Sequence, residues 1–277
     1  MSRAPELALP RAQPRTLRVV LRVVLRFVLD WLPLIVVLYV YDMIHNRIGR
    51  FLPAAHTLPQ IHADQLLFGT PIPTVRMQRA WYVPGRVRGW DLAALAIYTS
   101  HFFAAVAIAL VLWLRGRERY LRFMAWFVAL TSIGYVTYVL YPAVPPWLAS
   151  QRGALEPTHR LVRELWDQLG CHGLAACFSG SSIYANDVAA IPSLHAAYPV
   201  MFLLFFWGSA GRATRVALAL YAVAMAVTLL YTAEHYVVDI LLGWAYALLV
   251  ALVLPRVSPH RTTDRAPRSV SEPMPVR

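Results

Sequence analysis

The sequence predicts an all-α membrane protein that forms a bundle of six transmembrane helices, and three observations lead to this fold class. Of its 277 residues, 58% are hydrophobic and only 14% are charged, far less charge than a soluble domain of this size normally carries. Six apolar stretches approach or exceed the roughly 20 residues that a helix needs to cross about 30 Å of hydrocarbon. Short blocks of basic residues flank these stretches, which is typical of polytopic membrane proteins.

The predicted spans are separated by two long and three short connections. They cover residues 27–44, 92–114, 121–141, 192–209, 213–232 and 235–254. A basic arm, 1–26, precedes the first span and resembles the start of a signal peptide, but no small-residue cleavage site stands out after it, so we expect an uncleaved first helix. The catalytic membrane domain is then 27–254, and the tail 255–277, rich in Pro, Ser, Thr and Arg, is expected to be disordered.

The distribution of arginine predicts the orientation of the bundle. Arginine blocks occur in the basic arm, in the short links after the second and fourth spans, and in the tail. With six spans, all four segments fall on one side, which should be the cytoplasm, so both termini are predicted to be cytoplasmic. The long stretches 45–91 and 142–191 are then extracytoplasmic. Six arginines in 45–91 depart from the rule, but long loops cross membranes largely regardless of charge.

Composition also narrows the chemistry and the partners. All 26 basic residues are arginine and the formal net charge is +12. The absence of lysine excludes Schiff-base chemistry and a lysine phosphate clamp. Because the arginines flank apolar helices, we expect them to orient those helices and to contact anionic membrane lipids, not nucleic acid.

Three ionisable residues are expected to meet at the extracytoplasmic boundary. His235 and Asp239 are four residues apart at the start of the last span and would share one helix face. A carboxylate beside an imidazole fixes its tautomer and makes the other ring nitrogen a better nucleophile or base. His195 follows Pro192 and Ser193 at the start of the fourth span, where free backbone N–H groups can bind a phosphate and the histidine can protonate a leaving group. His195, His235 and Asp239 are therefore the predicted catalytic residues.

A second set of residues is predicted to bind the substrate. His101 lies well inside the second span, where a histidine is more often a hydrogen-bonded structural residue, and Glu234 either tunes the neighbouring His235 or lies in solvent. The arginines of this set lie in the long loops, where such side chains are usually only solvated. The set comprises Ser193, Leu194, Arg152, Arg76, Arg79, His101, Asp91 and Glu234.

The motifs around the histidines resemble those of a known family. P-S-L-H-A-A, followed some 40 residues later by H-Y-V-V-D, resembles the type 2 phosphatidic acid phosphatase superfamily. A-V-P-P-W and A-E-H-Y-V-V-D look closest to its inositol phosphorylceramide synthase and sphingomyelin synthase branch, and the likeness covers roughly 130–250. The resemblance implies a two-step transfer: His235 attacks phosphorus and forms a phosphohistidine, Asp239 orients it, and His195 protonates the departing oxygen and later activates the acceptor.

The chain departs from the family pattern at two phosphate-binding positions. The Lys/Arg motif is missing near P-A-V-P-P-W, and the arginine expected six residues before His235 is Leu229. The synthase-like branch shares this shortened box, so the resemblance implies a lipid phosphotransferase that moves a phospho-headgroup, inositol phosphate being one candidate. The alternative is a lipid phosphatase that hydrolyses phosphatidate or a polyprenyl phosphate. Either way the implied partner is a phospholipid or polyprenyl-phosphate substrate in the cell membrane, no cofactor is implied, and the oligomeric state is left open.

Two other function classes and two loop features stay open in the sequence. Two histidines and one aspartate also suit a facial metal triad, although membrane oxidases of that kind usually carry several histidine boxes and we predict no metal; a non-catalytic lipid-binding or transport protein is the other class. Segment 60–82 is typical of an interfacial helix or lid that shields the site from water, or else of a plain linker. Cys171 and Cys177 could form a disulfide in an oxidising compartment.

Overall fold

Helices dominate the computed structural model, which describes residues 14–48, 54–177 and 187–254, and this confirms the all-α fold class. The only β-type pairing in these ranges consists of isolated bridges of Ala143 with His56 and Ala189. The helices are α1 (Pro14–Ile48), α2 (Leu58–Phe68), α3 (Pro73–Trp81), α4 (Gly89–Arg115), α5 (Arg117–Leu140), α6 (Pro146–Gln151), α7 (Leu161–Gln168), α8 (His172–Cys177), α9 (Leu194–Phe206), α10 (Arg212–Tyr231) and α11 (Val237–Val253).

Within the described residues, four helices are long and apolar enough to cross a membrane. They are Arg18–Met43 within α1, and the whole of α4, α5 and α10. The remaining predicted spans form the shorter apolar helices α9 and α11, of 13 and 17 residues. At 1.5 Å per residue, α9 rises only about 20 Å. Both helices begin later than predicted, because the segments that precede Leu194 and Val237 form turns at the site. The protein is an integral membrane protein.

The N-terminal helix extends beyond its predicted start. Residues 14–26 of the predicted basic arm form the first turns of α1, whereas residues 1–13 and the predicted tail 255–277 lie outside the described residues. The buried Asp30 of α1 accepts hydrogen bonds from Arg117 Nη2 (2.6 Å) and Trp113 Nε1 (3.1 Å). An aspartate inside an apolar helix is therefore paired, as a buried charge requires, and it ties α1 to the α4–α5 link.

The two arginine-bearing links lie at the same end of the bundle. Arg119, at the start of α5, donates a hydrogen bond to Ser209 Oγ in the α9–α10 link at 2.7 Å. At the other end, the N-terminal turns of α9 and α11 meet, and Ser193 N–H donates to Asp239 O at 2.9 Å. Because α9 and α11 both begin at this end, the turns that carry the histidines lie apart from the arginine-bearing links.

The long stretches between spans contain short helices. Segment 60–82 forms α2 and α3, which are separated at Gly69 with a φ of 77°. Its polar residues Asp64, Thr74 and Gln78 are buried, so this segment packs into the protein and is more than a plain linker. Helices α6, α7 and α8 lie in the second long stretch, and the structure forms no disulfide between Cys171 and Cys177.

Candidate active site

His235 lies in a tight turn between α10 and α11, and this turn determines which ring nitrogen faces the site. Ala233 adopts a φ of 58°, a left-handed conformation that lets the chain reverse direction directly after α10. The His235 side chain is almost fully buried, and its Nδ1 is 2.8 Å from Ala190 O. A carbonyl oxygen only accepts hydrogen bonds, so Nδ1 carries the proton and Nε2 carries the lone pair in the neutral ring.

His195 lies in the first turn of α9, opposite that lone pair. Ser193 caps the helix as predicted, because its Oγ accepts the Ala196 N–H at 3.2 Å. His195 Nδ1 is 3.4 Å from His235 Nε2. Among the described residues, the buried His195 Nε2 has no hydrogen-bond partner. The two imidazoles therefore face one shared space.

Asp239 reaches His235 by a route that differs from the predicted one. His235 precedes α11, so the pair does not share a helix face. Asp239 is the third residue of α11, and its Oδ2 accepts the Tyr236 N–H at 2.9 Å, as in a capping box. That interaction brings Oδ2 to 3.5 Å from His235 Nδ1. Ala190 O is the nearer acceptor, so Asp239 contributes mainly its negative charge.

Helix α4 provides an aromatic wall on the other side of His195. The ring centroids of His101 and His195 are 4.0 Å apart, and Tyr98 stacks on His195 with a centroid distance of 5.0 Å. Tyr198 stacks on His101 at 5.1 Å, with the two rings nearly parallel. The structure thus brings the predicted residue His101 into contact with His195.

A buried ion pair lies next to the histidine turn. Arg160, the residue before α7, places Nε 2.9 Å and Nη2 3.4 Å from the two carboxylate oxygens of Glu234. Both side chains are less than a tenth exposed, so of the two alternatives for Glu234, the solvated one is wrong. Burial lowers the pKa of Arg160, but the Glu234 carboxylate raises it more, and the net pKa lies above the ordinary value. The guanidinium is therefore charged at all physiological pH values.

Comparison with protein families gives a match over more than half of the chain. The family model described as the PAP2 superfamily matches residues 88–253. The chain belongs to the PAP2 superfamily. It is accordingly an enzyme of this superfamily, and its PAP2 domain contains both histidines, Asp239, His101 and Arg160.

One curated relative shares part of this PAP2 domain. Phosphoinositol dihydroceramide synthase of Bacteroides thetaiotaomicron is 37% identical over 144 residues, which make up 49% of this chain and 45% of that protein. The matched part thus spans less than half of the length of the relative. No solved structure matches the chain.

Sequence reasoning missed Arg160 of the PAP2 domain and chose other arginines. Arg160 directly precedes the sequence L-V-R-E-L-W-D-Q, which forms α7. The amphipathic pattern of this sequence predicts that one face of the helix is buried, and that pattern could have distinguished Arg160 from solvated arginines.

The three arginines that are predicted to bind the substrate have other contacts. Arg76 donates to the carbonyl groups of Pro71 and Phe68, and Arg79 pairs with Glu156. Neither arginine contacts the histidines or Asp239, because both guanidinium groups are exposed and pair with nearby acceptors in the loops. Arg152 is exposed and donates to Thr57 Oγ1 at 3.5 Å. A phosphate-binding role for these three arginines stays a prediction.

Asp91 is likewise engaged in structure. Its Oδ2 accepts the Arg88 N–H at 2.7 Å at the start of α4, and its Oδ1 accepts the Tyr231 hydroxyl. Both carboxylate oxygens therefore have partners that anchor α4 to the end of α10. Substrate binding by Asp91 stays a prediction as well.

Segment 60–82, which precedes the matched PAP2 range, holds the histidine turn in place. Asp64 accepts the N–H groups of Val237 (3.0 Å) and Val238 (3.1 Å) in the first turn of α11. Thr74 Oγ1 donates to His235 O at 3.4 Å, and Gln78 Nε2 donates to Tyr231 O at 2.8 Å. Burial raises the pKa of the Asp64 carboxyl to about 6, although the two backbone hydrogen bonds lower it in part. These contacts fix both ends of the turn that carries His235.

Proposed function

We propose that this PAP2 enzyme transfers a phospho-headgroup from a phospholipid to a lipid alcohol through a phosphohistidine on His235. The observation that supports this most strongly is the position of His235: its Nδ1 donates to Ala190 O, and its Nε2 faces His195 across 3.4 Å. A neutral imidazole held in this tautomer presents its lone pair to an incoming phosphorus atom. His195 lies where it can exchange a proton with the group that leaves or attacks.

The first half-reaction transfers the headgroup to the enzyme. The Nε2 lone pair of His235 forms a bond to phosphorus while the bond from phosphorus to the diacylglycerol oxygen breaks. The imidazolium form of His195 gives its proton to that oxygen. Asp239 Oδ2, 3.5 Å from His235 Nδ1, offsets the positive charge that develops on the attacked ring.

The second half-reaction reverses these roles. Neutral His195 takes the proton of the acceptor hydroxyl, the acceptor oxygen forms a bond to phosphorus, and the bond from phosphorus to His235 Nε2 breaks. Water in place of the lipid alcohol would give hydrolysis. The His235 side chain is almost fully buried, Thr74 of α3 contacts its backbone oxygen, and exclusion of water there favours transfer.

The chemistry of the substrate follows from two further observations. An apolar groove of about 440 Å³ lies beside α4, the helix that carries Tyr98 and His101, and is lined mainly by apolar side chains of α4 and α7. Such a groove suits an acyl chain. The relative with 37% identity is named phosphoinositol dihydroceramide synthase, so inositol phosphate is the headgroup and a ceramide-type alcohol is the acceptor that we propose.

The same proposal includes the membrane orientation. Helices α1, α4, α5, α9, α10 and α11 form the six-helix membrane domain of residues 27–254, with both termini in the cytoplasm. Support comes from the arginine-bearing links, which lie together at one end of the bundle, as the rule for cytoplasmic loops requires. The site at the opposite end then faces the extracytoplasmic side of the plasma membrane.

The test uses purified full-length protein in lipid nanodiscs with phosphatidylinositol labelled with ³²P. With a ceramide acceptor we expect a new labelled lipid, and without acceptor we expect an acid-labile, alkali-stable label on the protein. His235→Ala should abolish both signals, whereas His172→Ala, at an exposed position, should leave both unchanged. With ³²P-labelled phosphatidate as the donor, release of labelled inorganic phosphate and unlabelled diacylglycerol, without any new labelled lipid, would instead establish the phosphatase alternative.

A further inference from the structure

The guanidinium group of Arg160 is held by two different contacts, one with an aromatic ring and one with a carboxylate. The guanidinium carbon of Arg160 lies over the Trp147 ring at 4.4 Å from its centroid, and Glu234 holds Nε and Nη2. Packing and pairing together fix the plane of the guanidinium. Arginine has five N–H donors in a rigid fork, and Glu234 engages two of these N–H groups.

This charge lies beside the turn that carries His235. Glu234 is the neighbour of His235 in that turn, and Trp147, whose ring Arg160 covers, donates its backbone N–H to Ala233 O at 3.2 Å. A fixed positive charge thus lies next to the histidine turn.

The reaction proposed at His235 needs such a charge. A phosphoryl group bonded to His235 carries negative charge on its oxygens, and planar arginine binds such oxygens with two parallel hydrogen bonds. Arg76 and Arg79 are engaged by loop acceptors away from the histidines. We propose that Arg160 binds the phosphate of the lipid substrate and that Glu234 is the residue that positions Arg160 for it. This inference rests on the proposed function for the identity of the substrate, but not on transfer as opposed to hydrolysis.

The test must separate phosphate binding from a structural ion pair. Arg160→Gln alone leaves the Glu234 carboxylate buried and unpaired, which is destabilising, so the decisive variant is Arg160→Gln combined with Glu234→Gln. This double variant has no uncompensated charge and retains amide groups that can bond to each other. The matched control is Arg122→Gln combined with Glu118→Gln, which neutralises an Arg–Glu pair at the surface of the first turns of α5.

The measurement is the affinity of the full-length detergent-solubilised protein for orthovanadate by calorimetry, together with KM and kcat for the phospholipid donor. We expect the Arg160/Glu234 double variant to melt near the wild-type temperature but to bind vanadate about ten- to a hundredfold more weakly, the loss that removal of a charge-assisted hydrogen bond produces. KM for the donor should rise, and the control variant should match the wild type in both readouts.

Further variants test the positioning role of Glu234. Glu234→Gln alone should weaken vanadate binding less than the double variant does. Arg160→Lys should also bind vanadate weakly, because an ammonium group keeps the charge but lacks the planar fork of donors. Wild-type vanadate affinity in the double variant would overturn the proposal. Failure of the proposed transfer appears separately, as a vanadate affinity that still depends on Arg160 in an enzyme that makes no labelled lipid.

Discussion

His235 Nε2 lies 3.4 Å from His195 Nδ1, although the two residues are 40 positions apart in the chain. The contact exists because the N-terminal turns of α9 and α11 bond to each other through Ser193 N–H and Asp239 O at 2.9 Å. A nucleophile and an acid–base group within such reach form the minimal apparatus for a two-step phosphoryl transfer. Each group can therefore be tested by removing only the function assigned to it.

Replacing His195 by Gln should affect the enzyme according to the leaving group of the donor. With phosphatidylinositol, loss of the proton donor should lower kcat about 10²- to 10⁴-fold. With a p-nitrophenyl phosphodiester, the first step should be nearly normal, because nitrophenolate leaves without a proton. A stopped-flow burst of nitrophenolate, equal to one per enzyme, checks this outcome. Equal losses with both donors would argue against His195 as the acid.

Replacing Asp239 by Asn should be less damaging than the loss of either histidine. Ala190 O at 2.8 Å already selects the tautomer of His235, so Asn removes the charge without changing the position of the proton. The Asn side chain can still accept the Tyr236 N–H, which Asp239 accepts at 2.9 Å. We expect kcat to fall by tens of fold and the melting temperature to stay near that of the wild type.

Asp239→Ala is the comparison for that variant. It removes the charge and the cap of α11 together, and loss of such a cap costs about 0.5–2 kcal/mol of unfolding free energy. Its melting temperature should therefore fall where that of Asp239→Asn does not. A fully active Asn variant would remove Asp239 from the mechanism.

Much of the fold and the pair of histidines could be predicted from the sequence, because hydropathy and motif spacing are local signals. Four of the six predicted spans are long enough to cross a membrane, and the turns before α9 and α11 meet as expected. The exact contacts were harder. The sequence predicted a shared helix face for His235 and Asp239, but a capping interaction and Ala190 O determine the geometry instead.

The arginines illustrate why the rest of the site was not predictable. All of the basic residues are arginine, so residue type alone could not distinguish a phosphate ligand from a lipid-contacting charge. Burial separates Arg160 from Arg79, with side-chain exposures of 9% and 57%. Arg160 is buried because it covers the Trp147 ring and pairs with Glu234, which are tertiary contacts that no spacing rule encodes.

Replacing Gly243 by Ala should disrupt the site through the backbone. A Cβ at this position of α11 would lie 2.3 Å from Ser193 O, and a carbonyl in the chain cannot move aside as a flexible side chain does. The two helices must separate, at a cost of about 1–3 kcal/mol, and a displacement of about 1 Å at a catalytic group can cost about 10²-fold in rate. Both the melting temperature and kcat should fall.

Gly211→Ala is the matched control for that variant. Gly211 precedes α10 with a φ of −68°, which any residue adopts, and an added Cβ meets no atom within 4 Å. Its stability and activity should equal those of the wild type. If Gly243→Ala behaved in the same way, the close approach of α11 to the Ser193 backbone would not constrain the site.

Asp64 should make the stability of the protein depend on pH. Burial raises the pKa of its carboxyl from the ordinary 3.8 to about 6 in the folded protein, so the folded state binds this proton more tightly than the unfolded state does. The stabilisation is fully present below about pH 4 and is lost as pH rises to about 6. Asp64→Asn removes this loss and keeps one oxygen that accepts one of the two N–H groups of Val237 and Val238; the loss of the other hydrogen bond lowers the melting temperature equally at every pH. The melting temperature of the variant minus that of the wild type should therefore increase by a few degrees between pH 4 and pH 7, whereas Glu118→Gln, at an exposed carboxylate, should show no such change. A difference for Asp64→Asn that does not vary with pH would mean that burial in α2 does not raise the pKa of the carboxyl.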